Sequence, residues 1–154
     1  MMTRMLKLLS AAAVGAVLSV GSANAAEFAT KDEAMAMVKK AVVAIKESKD
    51  KAYAEISKKG GTFSDRDLYI VVYGLNGTVY AHGANEKLIN TDQSGAKDPD
   101  GKAFVAERIE LGKKGAPFWQ DYKFPNPVSK NVEPKQMYCE PLNDTVVCGG
   151  VYKI

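Results

Sequence analysis

The sequence predicts an α+β domain, in which a long amphipathic helix packs on an antiparallel sheet of five strands. Three observations predict it: a helix-capping pattern at Thr30, and two stretches of β-branched and aromatic residues that each fold back at a short polar turn. Taken in order, Thr30-Lys31-Asp32-Glu33 has the spacing of a capping box, in which the threonine hydroxyl accepts from the amide of Glu33 and the glutamate reaches back. Met35, Val38, Val42, Ile45, Ala52 and Ile56 then recur at helical steps and give one apolar stripe, which Gly60-Gly61 ends. A lone domain must bury such a stripe, and its own sheet is the nearest surface.

Residues 67–83 read D-L-Y-I-V-V-Y-G-L-N-G-T-V-Y-A-H-G, two strands joined at Asn76-Gly77. A two-residue type I′ turn there would set Tyr73 opposite Tyr80 and Val71 opposite His82, all on one side of the sheet. The polar stretch 84–101 reads as a loop and candidate mobile lid, and 103–114 as a short helix stopped by Gly115-Ala116-Pro117. A third strand, 118–124, ends at Pro125-Asn126-Pro127, because two prolines forbid further ladder bonding. The last hairpin turns at Asn143-Asp144, which places Cys139 opposite Cys148 in a non-hydrogen-bonded pair, where side chains are closest. That register predicts a cross-strand disulfide worth about 2 kcal/mol. A redox-active dithiol or a zinc site lacks support, since there is no C-x-x-C and the chain has one histidine.

Arg4 and Lys7, an apolar run over 8–20 and Ala23-Asn24-Ala25 fit an export signal cleaved after Ala25, leaving 26–154 as one domain. The competing reading is an uncleaved anchor, disfavoured because the run is short for a span of about 20 residues. The expected protein is therefore periplasmic or secreted, with no stable membrane span after cleavage. Removing Arg4 and Lys7 from 21 basic residues leaves 19 against 18 acidic ones, a net charge of about +1. Without a basic stripe interleaved with aromatics, nucleic acid is not an expected partner.

The hairpin string above, K-D-P-D-G-K-A-F-V (97–105), D-Y-K-F-P-N-P-V (121–128), E-P-K-Q-M-Y (133–138) and G-G-V-Y (149–152) together resemble the single Cache family of extracytoplasmic sensor domains, in the class called sCache_2. The resemblance implies a PAS-like antiparallel sheet with the long helix across one face and, on the other, a short helix and loop over a ligand pocket. It also implies an input domain that binds small organic acids for chemoreceptors or kinases. One apolar segment and no output domain after Ile154 depart from that pattern, so the expectation is a soluble binding or sensory module that serves a membrane receptor or transporter partner.

By the same resemblance the pocket is lined by Tyr73, His82, Phe104, Tyr122, Lys135 and Tyr138. His82 would donate a hydrogen bond or serve only to cap a strand end, and Lys135 would balance a carboxylate or be an ordinary solvated lysine. Trp119 and Tyr122 fall on opposite sides of one strand, and Tyr122 is assigned to the pocket. Tyr138 faces Gly149, which leaves space for a ligand or for a close-packed neighbour. Arg108 offers a bidentate fork, but the family's arginine in this helix sits nearer its start, where this chain has Ala106, and the role is not carried over. No metal or cofactor is expected. An enzyme is not expected either, for want of a nucleophile elbow, a metal-ligand cluster or a phosphate loop. The alternative is a Cache-fold structural or interaction module without a small-molecule ligand.

Overall fold

The computed structural model describes residues 27–152; the export signal and its cleavage site lie outside them. Helix α1 (Lys31–Glu47) opens on the capping box, with Thr30 Oγ1 accepting from Glu33 N and Glu33 Oε2 accepting from Thr30 N at 2.7 Å. Instead of running on to Gly60, the helix breaks at Ser48, whose extended backbone (φ −159°, ψ 99°) separates α1 from α2 (Lys49–Ile56). Serine and aspartate compete with helical bonding here, and the break lets α2 turn towards β3 while α1 stays on β5 and β6.

Six strands among the described residues form one antiparallel sheet. They are β1 (Ser64–Asp65), β2 (Leu68–Gly74), β3 (Val79–His82), β4 (Phe118–Pro125), β5 (Val132–Leu142) and β6 (Thr145–Val151). The order is β1-β2-β6-β5-β4, with β3 also paired to β2. The strand not expected from the sequence is β1, two residues that pair with Leu68 and Tyr69. Arg66, between β1 and β2, donates to the Phe28 carbonyl and to Glu33, while Asp67 Oδ1 accepts from Ala29 N at 3.0 Å; together they pin the segment leading into α1.

The first hairpin departs from the expected register. Gly77 alone in its turn has positive φ (90°), Gly77 N donates to the Gly74 carbonyl, and Gly74 N donates to Thr78 O, so three residues form the loop. Tyr73 consequently pairs with Val79, and a bulge restores the Val71–His82 pairing. The extra residue turns Tyr80 to the helix side of the sheet, where it stacks on Tyr53 with centroids 6.2 Å apart. The second hairpin keeps its expected register throughout: Leu142 pairs with Thr145, Pro141 with Val146 and Cys139 with Cys148. The two cysteines are disulfide-bonded, with a Cα–Cα distance of 4.1 Å.

The sheet separates two cores. On one face Val38, Ala41, Val42 and Ile45 of α1 and Ala52 and Ile56 of α2 bury Ile70, Val72, Ala81, Tyr138 and Val147. On the other, α3 (Phe104–Lys113) and the loop before it cover Tyr69, Val71, Tyr73, Met137, Val146 and the disulfide. Gly112 is what lets α3 approach β6, since a Cβ there would sit 2.5 Å from Val146. The loop expected to be a mobile lid is laid along β3 instead: Val79 N donates to Thr91 O, Asn90 N to Val79 O and Gln93 N to Gly77 O.

Replacing both Cys139 and Cys148 by alanine should lower the unfolding free energy by about 2 kcal/mol in urea titrations, because the closed loop is short; equal midpoints for variant and parent would contradict this.

Candidate functional site

Alternation along the strands sends Tyr69 and Tyr73 of β2, Gln120 and Tyr122 of β4, and Lys135 of β5 to the face opposite α1, where they meet Phe104 and Arg108 of α3. Two cations are buried there. Arg108 is 1% exposed, and its guanidinium lies 4.9 Å from the Tyr73 ring, 5.1 Å from Tyr122 and 5.5 Å from Phe104. Its Nε donates to Gln120 Oε1 at 3.0 Å, and Gln120 is itself held by the Phe104 carbonyl and Glu107, while Arg108 Nη2 has no hydrogen-bond partner among the described residues. A buried donor left unpaired is costly unless something fills the position.

Lys135, also 1% exposed, is far from the solvated lysine its sequence context allows. Its Nζ donates to the hydroxyls of Tyr69 (3.0 Å) and Tyr152 (3.2 Å) and lies 4.1 Å from the Tyr69 ring centroid. Tyr152 donates in turn to the Pro125 carbonyl at 2.8 Å, so Tyr69 can donate to Tyr152 and the three form a directed chain. Gly150 makes room for the lysine stem, since a Cβ there would lie 2.7 Å from Lys135 Cε.

His82 ends β3 and caps it. Nδ1 accepts from the amides of Ala84 (3.2 Å) and Asn85 (3.0 Å), which caps the strand end and fixes the proton on Nε2, leaving a donor. The ring stacks on Tyr69 at 5.2 Å.

Burial governs the charges. It pushes the His82 imidazolium down to about 3, with the positive charges of Lys135 and Arg108 adding to it, so the ring is neutral at physiological pH. Burial and then Arg108 hold Lys135 well below the ordinary lysine value, against the opposing pull of Asp67. For Arg108 burial again works against charge, yet Tyr122 and Tyr73 beside it more than offset this, and its value lies above the ordinary one. Tyr122 is pushed up to about 12, chiefly by burial.

Beside this cluster lies a cavity of about 480 Å³. Leu68, Tyr69, Phe124, Pro125 and Pro127 give it apolar walls, His82 lines it beside Tyr69, and Lys59 and Lys130 are among its basic lining residues. Tyr73, Phe104, Tyr122 and Lys135 do not line it; they pack behind the wall, with Lys135 reaching it through the Tyr69 hydroxyl.

Tyr138 must be removed from the set. It belongs to the α1 face, where it meets Trp119 (5.2 Å) and bonds Glu140, because its parity on β5 is opposite to that of Lys135. The space beside Gly149 is filled by packing: a Cβ there would meet Ile70 at 2.9 Å and Val38 at 3.2 Å. Tyr69 and Tyr152 join this cluster without being among the residues the sequence assigns, although each shares parity with an assigned residue or with the disulfide strand.

A twisted antiparallel sheet in this order, helices across one face and buried charge on the other, defines a PAS-like ligand-binding domain. More specifically, the chain belongs to the Single Cache domain 2 family, whose model matches residues 6–153. No curated protein matched the sequence. Among solved structures, a methyl-accepting chemotaxis protein from Vibrio parahaemolyticus RIMD 2210633 is 24% identical, with 79% of this chain and 87% of that one covered and a TM-score of 0.67. A Cache chemosensory domain described for carboxylic acid recognition is 23% identical over 80% of this chain and 92% of its own, with a TM-score of 0.69. A periplasmic sensor domain of a chemotaxis protein is 23% identical over 80% and 90%, with a TM-score of 0.61. Cache domains are extracytoplasmic sensory modules, and no helix among the described residues is long and apolar enough to cross a membrane.

The unfolded chain protonates His82 near pH 6.5, whereas the folded one does so only near 3, so between these values the unfolded state holds the extra proton and stability falls as pH drops. Between pH 6.5 and about pH 4 the parent should therefore lose about 5 to 10 °C more in Tm than His82→Gln; parallel melting curves would show that burial does not penalise this proton.

Proposed function

We propose that residues 26–154 form the mature protein, exported to the periplasm or beyond, and that it binds a small organic acid and passes the ligand or its signal to a membrane receptor or transporter. The single observation that carries this reading is the pair of buried basic side chains, Arg108 with an Nη2 unpartnered among the described residues and Lys135 bonded there to neutral hydroxyls, beside a cavity with apolar walls. A carboxylate at this point supplies a directly bonded anionic partner, in surroundings where charge-assisted bonds are strongest.

The carboxylate would reach His82 Nε2 first, with Lys135 behind the Tyr69 side chain. Arg108 with Tyr73 and Tyr122 would form the deeper part of the site, and Phe104 its packing wall. The carboxylic acid recognition named for one fold neighbour is consistent with that chemistry.

A second reading, a Cache-fold interaction module without a small ligand, is favoured by one observation: the Phe104 and Tyr122 rings stack at 4.6 Å and fill the space around Arg108.

Calorimetry with a panel of short carboxylates separates the two. Saturable binding is expected, weakened at least tenfold in Lys135→Met, which keeps the stem volume and removes the amine. Because a bound anion raises the proton affinity of Lys135, binding should take up protons at any pH where the lysine of the free protein is partly deprotonated, seen as a heat that varies with the ionisation enthalpy of the buffer. No binding across the panel would favour the interaction module.

A further inference from the structure

The size and walls of the cavity say more about the acid than the cations do. At about 480 Å³ it is roughly three times the 150 Å³ hollow that accommodates a benzene ring, whereas an acid of two or three carbons would leave most of it to water. That water would stand against Leu68, Tyr69, Phe124, Pro125 and Pro127, surfaces with little to offer it in hydrogen bonds. The polar lining includes Ser64, whose Oγ has no hydrogen-bond partner among the described residues, and Asp65, bonded to Arg66. His82 presents one donor, with the Tyr69 hydroxyl and Lys135 Nζ behind it 3.0 Å apart, and Asn126 has its side chain committed to Glu133, Val128 and Ser129.

We infer that the ligand is an acid with an apolar body of about six to nine carbons, an aromatic or branched-chain carboxylate, whose charged end meets His82 Nε2 and whose body lies against Leu68, Phe124 and the two prolines. This rests on the acid-binding reading above and extends it from short acids to bulkier ones. Each additional methylene placed against such walls raises affinity about fourfold, so two or three of them outweigh the loss of any single neutral hydrogen bond. Lys59 and Lys130, also in the lining, add a positive potential that favours an anion over a neutral molecule of the same shape.

The test is titration calorimetry of the protein with acetate, propionate, 4-methylpentanoate and phenylacetate. The inference expects phenylacetate or 4-methylpentanoate to bind at least tenfold more tightly than acetate and propionate. It further expects Ala84→Trp, which introduces an indole at the cavity wall, to abolish that preference; Pro127→Trp does the same from another part of the wall and replaces it if Ala84→Trp does not fold. Acetate binding as tightly as phenylacetate would overturn the inference and leave the acid-binding function standing. A preference that survives in the folded tryptophan variant would place the apolar body elsewhere and overturn it as well. Failure of all four acids to bind would remove the acid-binding function, and the inference with it.

Discussion

Two positive side chains buried in the same half of a small domain constrain everything around them. Arg108 and Lys135 each sit among aromatic rings, and the polar contacts they make within that core are to neutral groups: Gln120 for the arginine, Tyr69 and Tyr152 for the lysine. Removing an ion from water costs several kcal/mol even after the surroundings relax, and neutral partners return only part of that. The lysine meets the penalty by a strongly lowered proton affinity, the histidine beside it does the same, and the arginine, which cannot lose its proton, keeps an unpaired donor.

The rest of the architecture holds that arrangement in place. Antiparallel pairing of β4, β5 and β6 carries Tyr122, Lys135 and the glycine that clears space for the lysine stem to one face of the sheet. Across the sheet, α1 and α2 bury the other face with aliphatic side chains, so the sheet is a rigid partition between a dry core and a polar one. The disulfide joins β5 to β6 beneath α3, and the loop after β3 is bonded along that strand, which leaves the cavity beside Tyr69 and His82 framed by fixed walls. Tyr152, whose hydroxyl ties Lys135 to the Pro125 carbonyl, connects the cationic centre to the last strand and to the β4–β5 turn at once.

Much of the fold can be read along the chain because its determinants are local. The capping box sets the start of α1, Asn143-Asp144 sets the register that joins the cysteines, and the prolines after β4 set its end. The first hairpin shows where such reading stops. Asn76-Gly77 suits both a two-residue turn and a three-residue loop, and the difference of one residue moves Tyr80 through the sheet. The break at Ser48 is similar, since the apolar stripe continues through it and only the path of the sheet towards β3 requires the bend.

What the sequence determined by itself was the period of each element, the pairing of the second hairpin, the disulfide and the family, because alternation, capping and turn chemistry act over a few residues. Only the tertiary structure decided which candidates meet. Lys135 reads as a solvated lysine until Tyr69, 66 positions away, and Tyr152, 17 positions away, enclose it. Arg108 reads as one charge on a short helix until Tyr73 and Tyr122 close over it, and Tyr138 reads as a pocket residue until the α1 face claims it. Burial and proton affinity depend on what surrounds a group in space, and in this domain those neighbours arrive from strands far apart in the chain.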